Sequence, residues 1–317
     1  MDNVLVTGAA GFVGKALCVE LIAKNFNVTE VTRLSGVLDC QVGRIGIEGI
    51  DGHTDWHTAL KNIEVVVHLA ARVHVLHETA VDALAEFRKV NVEGTLNLAR
   101  QAADAGVKRF VFISTIKVNG ENTLPGHAFT ADDEPNPVDF YAISKREAED
   151  GLRQLALVSD MEVVVIRPPL VYGAGVKANF QAMMQYLDKG LPLPLGLLAN
   201  KRSLVALDNL VDVIMLCMTH PAAANQTFLV SDGEDLSTTE LLHRLAYAMG
   251  KKARLLPVPV NLLKGALFLW GKGAMVQRLC GNLQVDDAKT RQLLAWAPRV
   301  DVDLALSQTV QHYLASH

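Results

Sequence analysis

The sequence predicts an α/β protein: a Rossmann-like doubly wound parallel sheet, with a smaller mixed C-terminal lobe. Three observations predict it. Apolar runs of strand length alternate with helical patterns from the first residues onward. These runs are continuous in Val, Ile and Leu, as in strands covered by helices on both faces. A glycine-rich turn, Thr7-Gly8-Ala9-Ala10-Gly11-Phe12-Val13-Gly14, stands directly between the first strand and the first helix. After Arg167 the character changes, to Pro168-Pro169, the turn-rich LPLPLG (191–196) and longer polar loops.

Val4-Leu5-Val6 reads as the first strand, and Gly14 to Lys24 as a helix with Leu17, Leu21 and Ile22 inward. Val28 to Thr32 is a second strand. Val65 to Leu69 is a third, followed by a long helix through Asn91 to Ala105. Phe110 to Ser114 is a fourth strand, Ser144 to Val158 a helix, and Glu162 to Arg167 a fifth strand. Repeated β-α units of this kind place a ligand at the carboxyl ends of the strands. Proline cannot donate to a ladder, so Pro168-Pro169 ends the run of central strands. Residues 1–167 are then expected to form the dinucleotide-binding unit, with 203–230 returning to it. Residues 168–317 form mainly the substrate lobe, with helical stretches at Thr238–Met249 and Val285–Leu294.

The chain has 317 residues, half of them hydrophobic and a fifth charged, with a net charge of −4. A broad basic surface for nucleic acid is not expected from this balance. Cys18, Cys40, Cys217 and Cys280 are scattered without a CxxC pair, so neither a disulfide framework nor a metal site is expected, and the compartment reads as cytoplasmic. The stretch MDNVLVTGAAG lacks a basic region and is needed as a strand, so no secretion signal is expected. The apolar run Val258 to Trp270 is broken by Asn261, Lys264 and Gly265 and is too short to span a bilayer, so no membrane insertion is expected. It reads as a core helix, with a membrane-surface or partner-binding helix as the alternative.

The glycines of the first turn have separate tasks. Gly8 permits the tight turn, Gly11 lets a pyrophosphate approach the backbone, and Gly14 lets helix and strand pack closely. Phe12 and Val13 open the helix whose N-terminus faces that anion. NAD-preferring sites usually carry an acid at the end of the second strand for the ribose hydroxyls. Here Thr32 and Arg33 stand there. An arginine suits a 2′-phosphate, which favours NADP(H) over NAD(H); the alternative is that Arg33 stacks on adenine or faces solvent. Tyr141-Ala-Ile-Ser-Lys145 puts a phenol and an ammonium at i and i+4 on one helix face. The ammonium is expected to lower the tyrosine pKa and so ready it for proton exchange.

Together with the hydroxyls of Ser114 and Thr115, these features resemble the extended short-chain dehydrogenase/reductase family of nucleotide-sugar epimerases, dehydratases and reductases. The resemblance is nearly full length. It is carried by TGAAGFVG, HLAAR (68–72), Asn91-Val-Glu-Gly-Thr95, ISTIKVNG (113–120), YAISK, RPPLVYGAG (167–175), Arg202-Ser-Leu-Val-Ala-Leu-Asp-Asn-Leu210 and VDDAKTRQLLAW (285–296). It implies hydride transfer at a sugar carbon, usually C4, on a UDP-sugar, by a homodimer. It makes Thr115, Tyr141 and Lys145 the catalytic residues. It lines the cofactor with Ile50, Leu69, Ala70, Ala71, Arg72 and Pro168, with Asn91 bracing the nearby loops. The substrate grip implied is Ser114, Thr115, Lys117, Asn179, Arg202 and Arg278, with Arg202 as the diphosphate clamp. Three positions depart from the family pattern: Val118-Asn119-Gly120 replaces the usual VYG, Leu170 stands where an asparagine is common, and the ribose acid is missing.

Family dehydratases place two carboxylates directly after the catalytic threonine. Ile116 and Lys117 occupy those positions here. Isoleucine transfers no proton and lysine carries the opposite charge, so elimination is not expected. Two readings stay open within the family. Arg33 and the SxIKVNG and LPLPLG segments lean towards a 4-reductase acting on a UDP-4-keto-6-deoxy-N-acetylhexosamine in bacterial surface-polysaccharide synthesis. The alternative is a 4-epimerase of UDP-glucose or UDP-N-acetylglucosamine. A non-enzymatic NADP(H) sensor is the reading that a complete Thr115, Tyr141 and Lys145 set speaks against.

Overall fold

A computed structural model describes residues 2–33, 43–73, 82–269 and 273–316. The strands are β1 (Asn3–Thr7), β2 (Asn27–Arg33), β3 (Arg44–Ile47), β4 (Val65–His68), β5 (Arg109–Ile113), β6 (Glu162–Arg167), β7 (Leu170–Tyr172), β8 (Arg202–Ala206), β9 (Thr227–Leu229) and β10 (Asp235–Leu236). Seven form one sheet in the order β3-β2-β1-β4-β5-β6-β9, and every pairing in it is parallel. The chain winds outward from β1 to one edge, returns, and winds outward from β4 to the other. The crevice at the carboxyl ends of β1 and β4 is therefore where a ligand meets loops of both halves. A second sheet, β10-β8-β7, is mixed: β8 runs parallel to β7 and antiparallel to β10.

The helices are α1 (Phe12–Ala23), α2 (Ala83–Arg88), α3 (Thr95–Asp104), α4 (Phe140–Val158), α5 (Ala178–Asp188), α6 (Leu207–Thr219), α7 (Thr238–Ala248), α8 (Val260–Leu269), α9 (Gly273–Cys280), α10 (Ala288–Leu294) and α11 (Val302–Ala315). Alternate side chains of the large sheet enter two cores. On one face Val4, Val6, Val67 and Val164 meet Leu17 and Leu21 of α1 and Leu210, Val213 and Ile214 of α6. On the other, Leu5, Val66, Phe110 and Phe112 meet Leu98 and Ala102 of α3 and Ala148 and Leu152 of α4. Helix α6 and strand β9 thus build on the large sheet, whereas β8 belongs to the small one. Tyr172, Phe180, Leu242, Leu245, Leu306 and Val310 form the core of the C-terminal lobe.

The structure departs from the sequence reading in several places. Strand β3 lay in a segment with no clear apolar run. The long helix through Asn91 is interrupted by a π-helical turn, Lys89–Gly94. The helix expected from Val285 starts at Ala288, because Val285 bridges to Phe129 instead. Ile22, expected inward, is exposed. The apolar run at Val258 to Trp270 was read first as a core helix, yet Leu262, Phe268 and Leu269 of α8 are exposed and only Leu263 is buried there among the described residues.

Phe110 lies wholly inside the α3–α4 core. Phe110→Ala is expected to cost about 3–5 kcal/mol, seen as a lower urea midpoint at unchanged slope.

Candidate active site

The glycine turn is built by exclusion of side chains. Gly8 has φ 69°, and a Cβ there would lie 2.8 Å from the Ala70 amide nitrogen. A Cβ on Gly14 would collide with the Gly8 carbonyl oxygen. The Gly11 amide donates to that same oxygen at 2.8 Å, and Gly11 caps α1. Phe12 and Val13 form the first helical turn, whose amides have no partner within the helix. Bare backbone backed by a helix N-terminus fits the diphosphate of a dinucleotide.

The opposite wall follows β4. The Thr7 hydroxyl meets His68 Nδ1 at 2.7 Å and accepts from the Ala70 amide at 3.3 Å. His68 Nε2 meets the Thr95 hydroxyl at 3.0 Å, and the ring stacks on Phe112. Burial, then the charge of Lys145, pushes His68 down to about 3, so it is neutral at physiological pH. Leu69, Ala70, Ala71 and Arg72 are partly exposed along this edge. Arg72 is held by Asn91 at both backbone ends: its amide donates to Oδ1 at 2.7 Å and its carbonyl accepts from Nδ2 at 3.0 Å. Asn91 Nδ2 also donates to Ser144 Oγ at 2.9 Å, and Ser144 donates to the Tyr141 carbonyl at 2.8 Å. Asn91 sits in the π-helical turn, a distortion common at functional sites. The row of side chains along this rim closes with Ile50, half-buried against Gly94. At the end of β2, Thr32 is half-buried and Arg33 exposed.

The hydroxyls at the end of β5 serve different partners. Ser114 donates to Glu149 Oε1 at 2.5 Å and is buried. Thr115 is half-buried, and its Oγ1 accepts from the Lys117 amide at 3.3 Å, capping the short turn Ile116–Val118. Ile116 is buried, and its amide donates to the carbonyl of the buried Pro168 at 3.0 Å. Lys117 Nζ lies 2.5 Å from Asp139 Oδ2 and 3.3 Å from Glu121. Asp139 is the N-cap of α4, accepting from the Ala142 amide at 2.7 Å. The turn after Thr115 is thereby tied to the start of the helix that carries Tyr141 and Lys145.

Lys145 is buried, with Nζ 3.8 Å from the centre of the Phe112 ring. Burial pushes it down to about 7, against the pull of Glu149. Burial, with help from Asp139, raises Tyr141 above the usual phenol range. From the sequence alone, the ammonium of Lys145 is expected to lower the tyrosine pKa. The folded site does the reverse, because desolvation of the phenolate dominates. Glu149 is raised by burial, but hydrogen bonds and charge from Arg167, with Ser114 and Arg153, outweigh this and hold it below the ordinary carboxylate value.

In the C-terminal lobe, Arg202 donates to the Gly281 carbonyl at 3.2 Å and has no carboxylate partner among the described residues. Burial lowers its pKa. Asn179 is exposed in the first turn of α5. Arg278 is on α9, but its side chain lies outside the described residues. Among the described residues no His, Cys, Asp and Glu group could hold a metal. Sequence reasoning passed over Asp139, Ser144 and Glu149. Two of them carried a signal: Asp139 directly precedes a helix start, and Glu149 follows Lys145 by one turn.

Fold and site together define an α/β enzyme that takes a nicotinamide dinucleotide, NAD(H) or NADP(H). Residues 4–231 match the NAD dependent epimerase/dehydratase family, and the chain belongs to that family. It is 47% identical over 316 residues to a UDP-glucose 4-epimerase of Vibrio cholerae, covering 99% of this chain and 96% of that one. It is 27% identical over 325 residues to an N-acetyl-α-D-glucosaminyl-diphospho-ditrans,octacis-undecaprenol 4-epimerase of Escherichia coli O157:H7, covering 98% and 95%. The solved UDP-glucose 4-epimerase of Thermotoga maritima with UDP-glucose superposes with a TM-score of 0.77 at 25% identity, covering 99% of both chains.

The unfolded chain holds the Lys145 proton up to about pH 10.5, whereas the folded chain releases it near 7. Between those values the unfolded state binds more protons, so this group makes the protein more stable as pH rises. Lys145→Met is expected to flatten that rise, measured by urea unfolding at pH 7 and pH 9.

Proposed function

We propose that the protein interconverts epimers at C4 of a UDP-hexose. The observation that supports this most directly is the joining of three elements: Tyr141 and Lys145 stand one helical turn apart on α4, and the ion pair of Asp139 with Lys117 fastens that helix to the turn following Thr115. The 47% identity with the Vibrio cholerae UDP-glucose 4-epimerase, over 99% of this chain and 96% of that one, supports the epimerase over other reactions of the family. A nicotinamide dinucleotide bound at the site would accept a hydride from C4 and return it to the resulting ketone. The Thr115 hydroxyl hydrogen-bonds the reacting sugar oxygen, and Tyr141 exchanges the proton with it. Lys145 serves beside Tyr141 with a pKa near the working pH, where a proton relay is most effective. Arg202, with no carboxylate partner among the described residues, grips the diphosphate. Ile116 is buried and Lys117 is occupied by two carboxylates, so the positions after Thr115 offer no acid–base pair for elimination.

A 4-ketoreductase is the second reading, and two observations favour it. Arg33 is exposed at the end of β2 without an acid in the strand's last two positions, which suits NADPH. Burial holds Tyr141 protonated, ready to donate to a ketone.

The test has two arms. The purified chain is given UDP-glucose or UDP-N-acetylglucosamine without added cofactor, and separately UDP-4-keto-6-deoxy-N-acetylglucosamine with NADH or NADPH. Epimer formation in the first arm is the expected outcome. Stoichiometric NAD(P)H consumption in the second, with no epimer in the first, would overturn it in favour of the reductase. Tyr141→Phe is expected to lower kcat by about 10²–10⁴. Arg202→Ala is expected to raise KM about ten- to a hundredfold, the worth of a charge-assisted contact.

A further inference from the structure

The segment 251–269 turns apolar side chains outward instead of into a core. Leu256 is 48% exposed, Leu262 65%, Phe268 77% and Leu269 85%. The inner side of the same segment is satisfied: Leu263, Val258 and Val260 pack with Leu198, Val276 and Leu279. The outward residues are therefore surplus to the fold. The charge carried by this stretch of the chain itself is of one sign. From Leu241 to Val285 there is no Asp or Glu, while Arg244, Lys251, Lys252, Arg254, Lys264, Lys272 and Arg278 are all cationic, in a chain whose net charge is −4. Arg244 pairs with Glu234 and Asp303, and Lys251 with Asp188. Lys252, Arg254 and Lys264 are exposed and form no ion pair among the described residues.

We propose that the outer face of 251–269 is a docking surface for an anionic lipid bilayer. Exposed leucine and phenylalanine beside unpaired lysine and arginine is the composition that seats a short helix in the headgroup layer, apolar side down and cations at the lipid phosphates. Helix α8 has 10 residues, and no helix among the described residues is long and apolar enough to cross a membrane, so the contact is peripheral. A second copy of the chain fits the face less well, because self-pairing would bring like charges together. The site is not remote from the lobe's chemistry. Helix α9, packed on α8, leads into Gly281, whose carbonyl receives Arg202. The inference does not depend on which C4 reaction the protein performs.

The full chain is sedimented with vesicles of phosphatidylcholine alone and of phosphatidylcholine mixed with phosphatidylglycerol, at low and high salt. Binding to the anionic vesicles, weakened by salt, is expected, with little binding to the neutral ones. Lys252→Ala and Lys264→Ala should each weaken it about fivefold. Phe268→Glu with Leu269→Glu should weaken it about tenfold or more. Both positions are exposed, so the thermal midpoint should stay near that of the parent. Failure to bind anionic vesicles, or variants that bind as the parent does, would overturn the proposal. So would a lipid-free dimer in light scattering that Phe268→Glu dissolves, since the face would then belong to a second copy.

Discussion

The carboxylate of Glu149 is the group on which the site rests. It is buried and accepts hydrogen bonds from Ser114 at the end of β5, Arg167 at the end of β6 and Arg153 one turn along α4. Arg167 in turn donates to Asn119, which donates to the Thr130 carbonyl. One buried charge therefore fastens two strand ends, the helix bearing Tyr141 and Lys145, and the loop after Thr115. Such a pair earns little stability beyond an apolar equivalent, but breaking it strands an ion in the interior, so it defines one arrangement strongly. The same carboxylate attracts the Lys145 ammonium and so opposes the desolvation that lowers its pKa.

A second set of contacts works from the front of α4. Asp139 caps the helix and neutralises Lys117, and Asn91 reaches from its π-helical turn to Arg72 and Ser144. These side chains sit one step behind the residues proposed to touch substrate or cofactor. Their hydrogen bonds lock rotamers and loop positions in the way a preorganised site requires. Ser114 illustrates the division. It adjoins Thr115 in sequence, yet alternation along an extended chain turns its hydroxyl the other way, into the Glu149 network.

Much of the fold was legible because its signals are local. Valine-rich runs, the spacing of Gly8, Gly11 and Gly14, and the Tyr141–Lys145 turn each act within a few residues, and each appears where the sequence reading set it. Strand β3 was not legible, since an edge strand of four residues needs no continuous apolar run. The π-helical turn was not legible either: Asn91, which it carries, meets Arg72 and Ser144, partners 19 and 53 residues away.

The sequence by itself determined the central strands of the large sheet, the glycine turn, the placing of Tyr141 and Lys145 one helical turn apart and the absence of paired carboxylates after Thr115. These follow from composition and short-range geometry. Only the tertiary structure decided protonation and exposure. Lys145 near 7, Tyr141 raised and His68 neutral are consequences of burial among residues distant in sequence. The outward turn of Phe268 and Leu269 was likewise settled by packing: Leu263 fills the inner side, and nothing among the described residues covers the rest. Hydrophobicity is written in the chain, but which face of a helix finds a partner depends on everything folded around it.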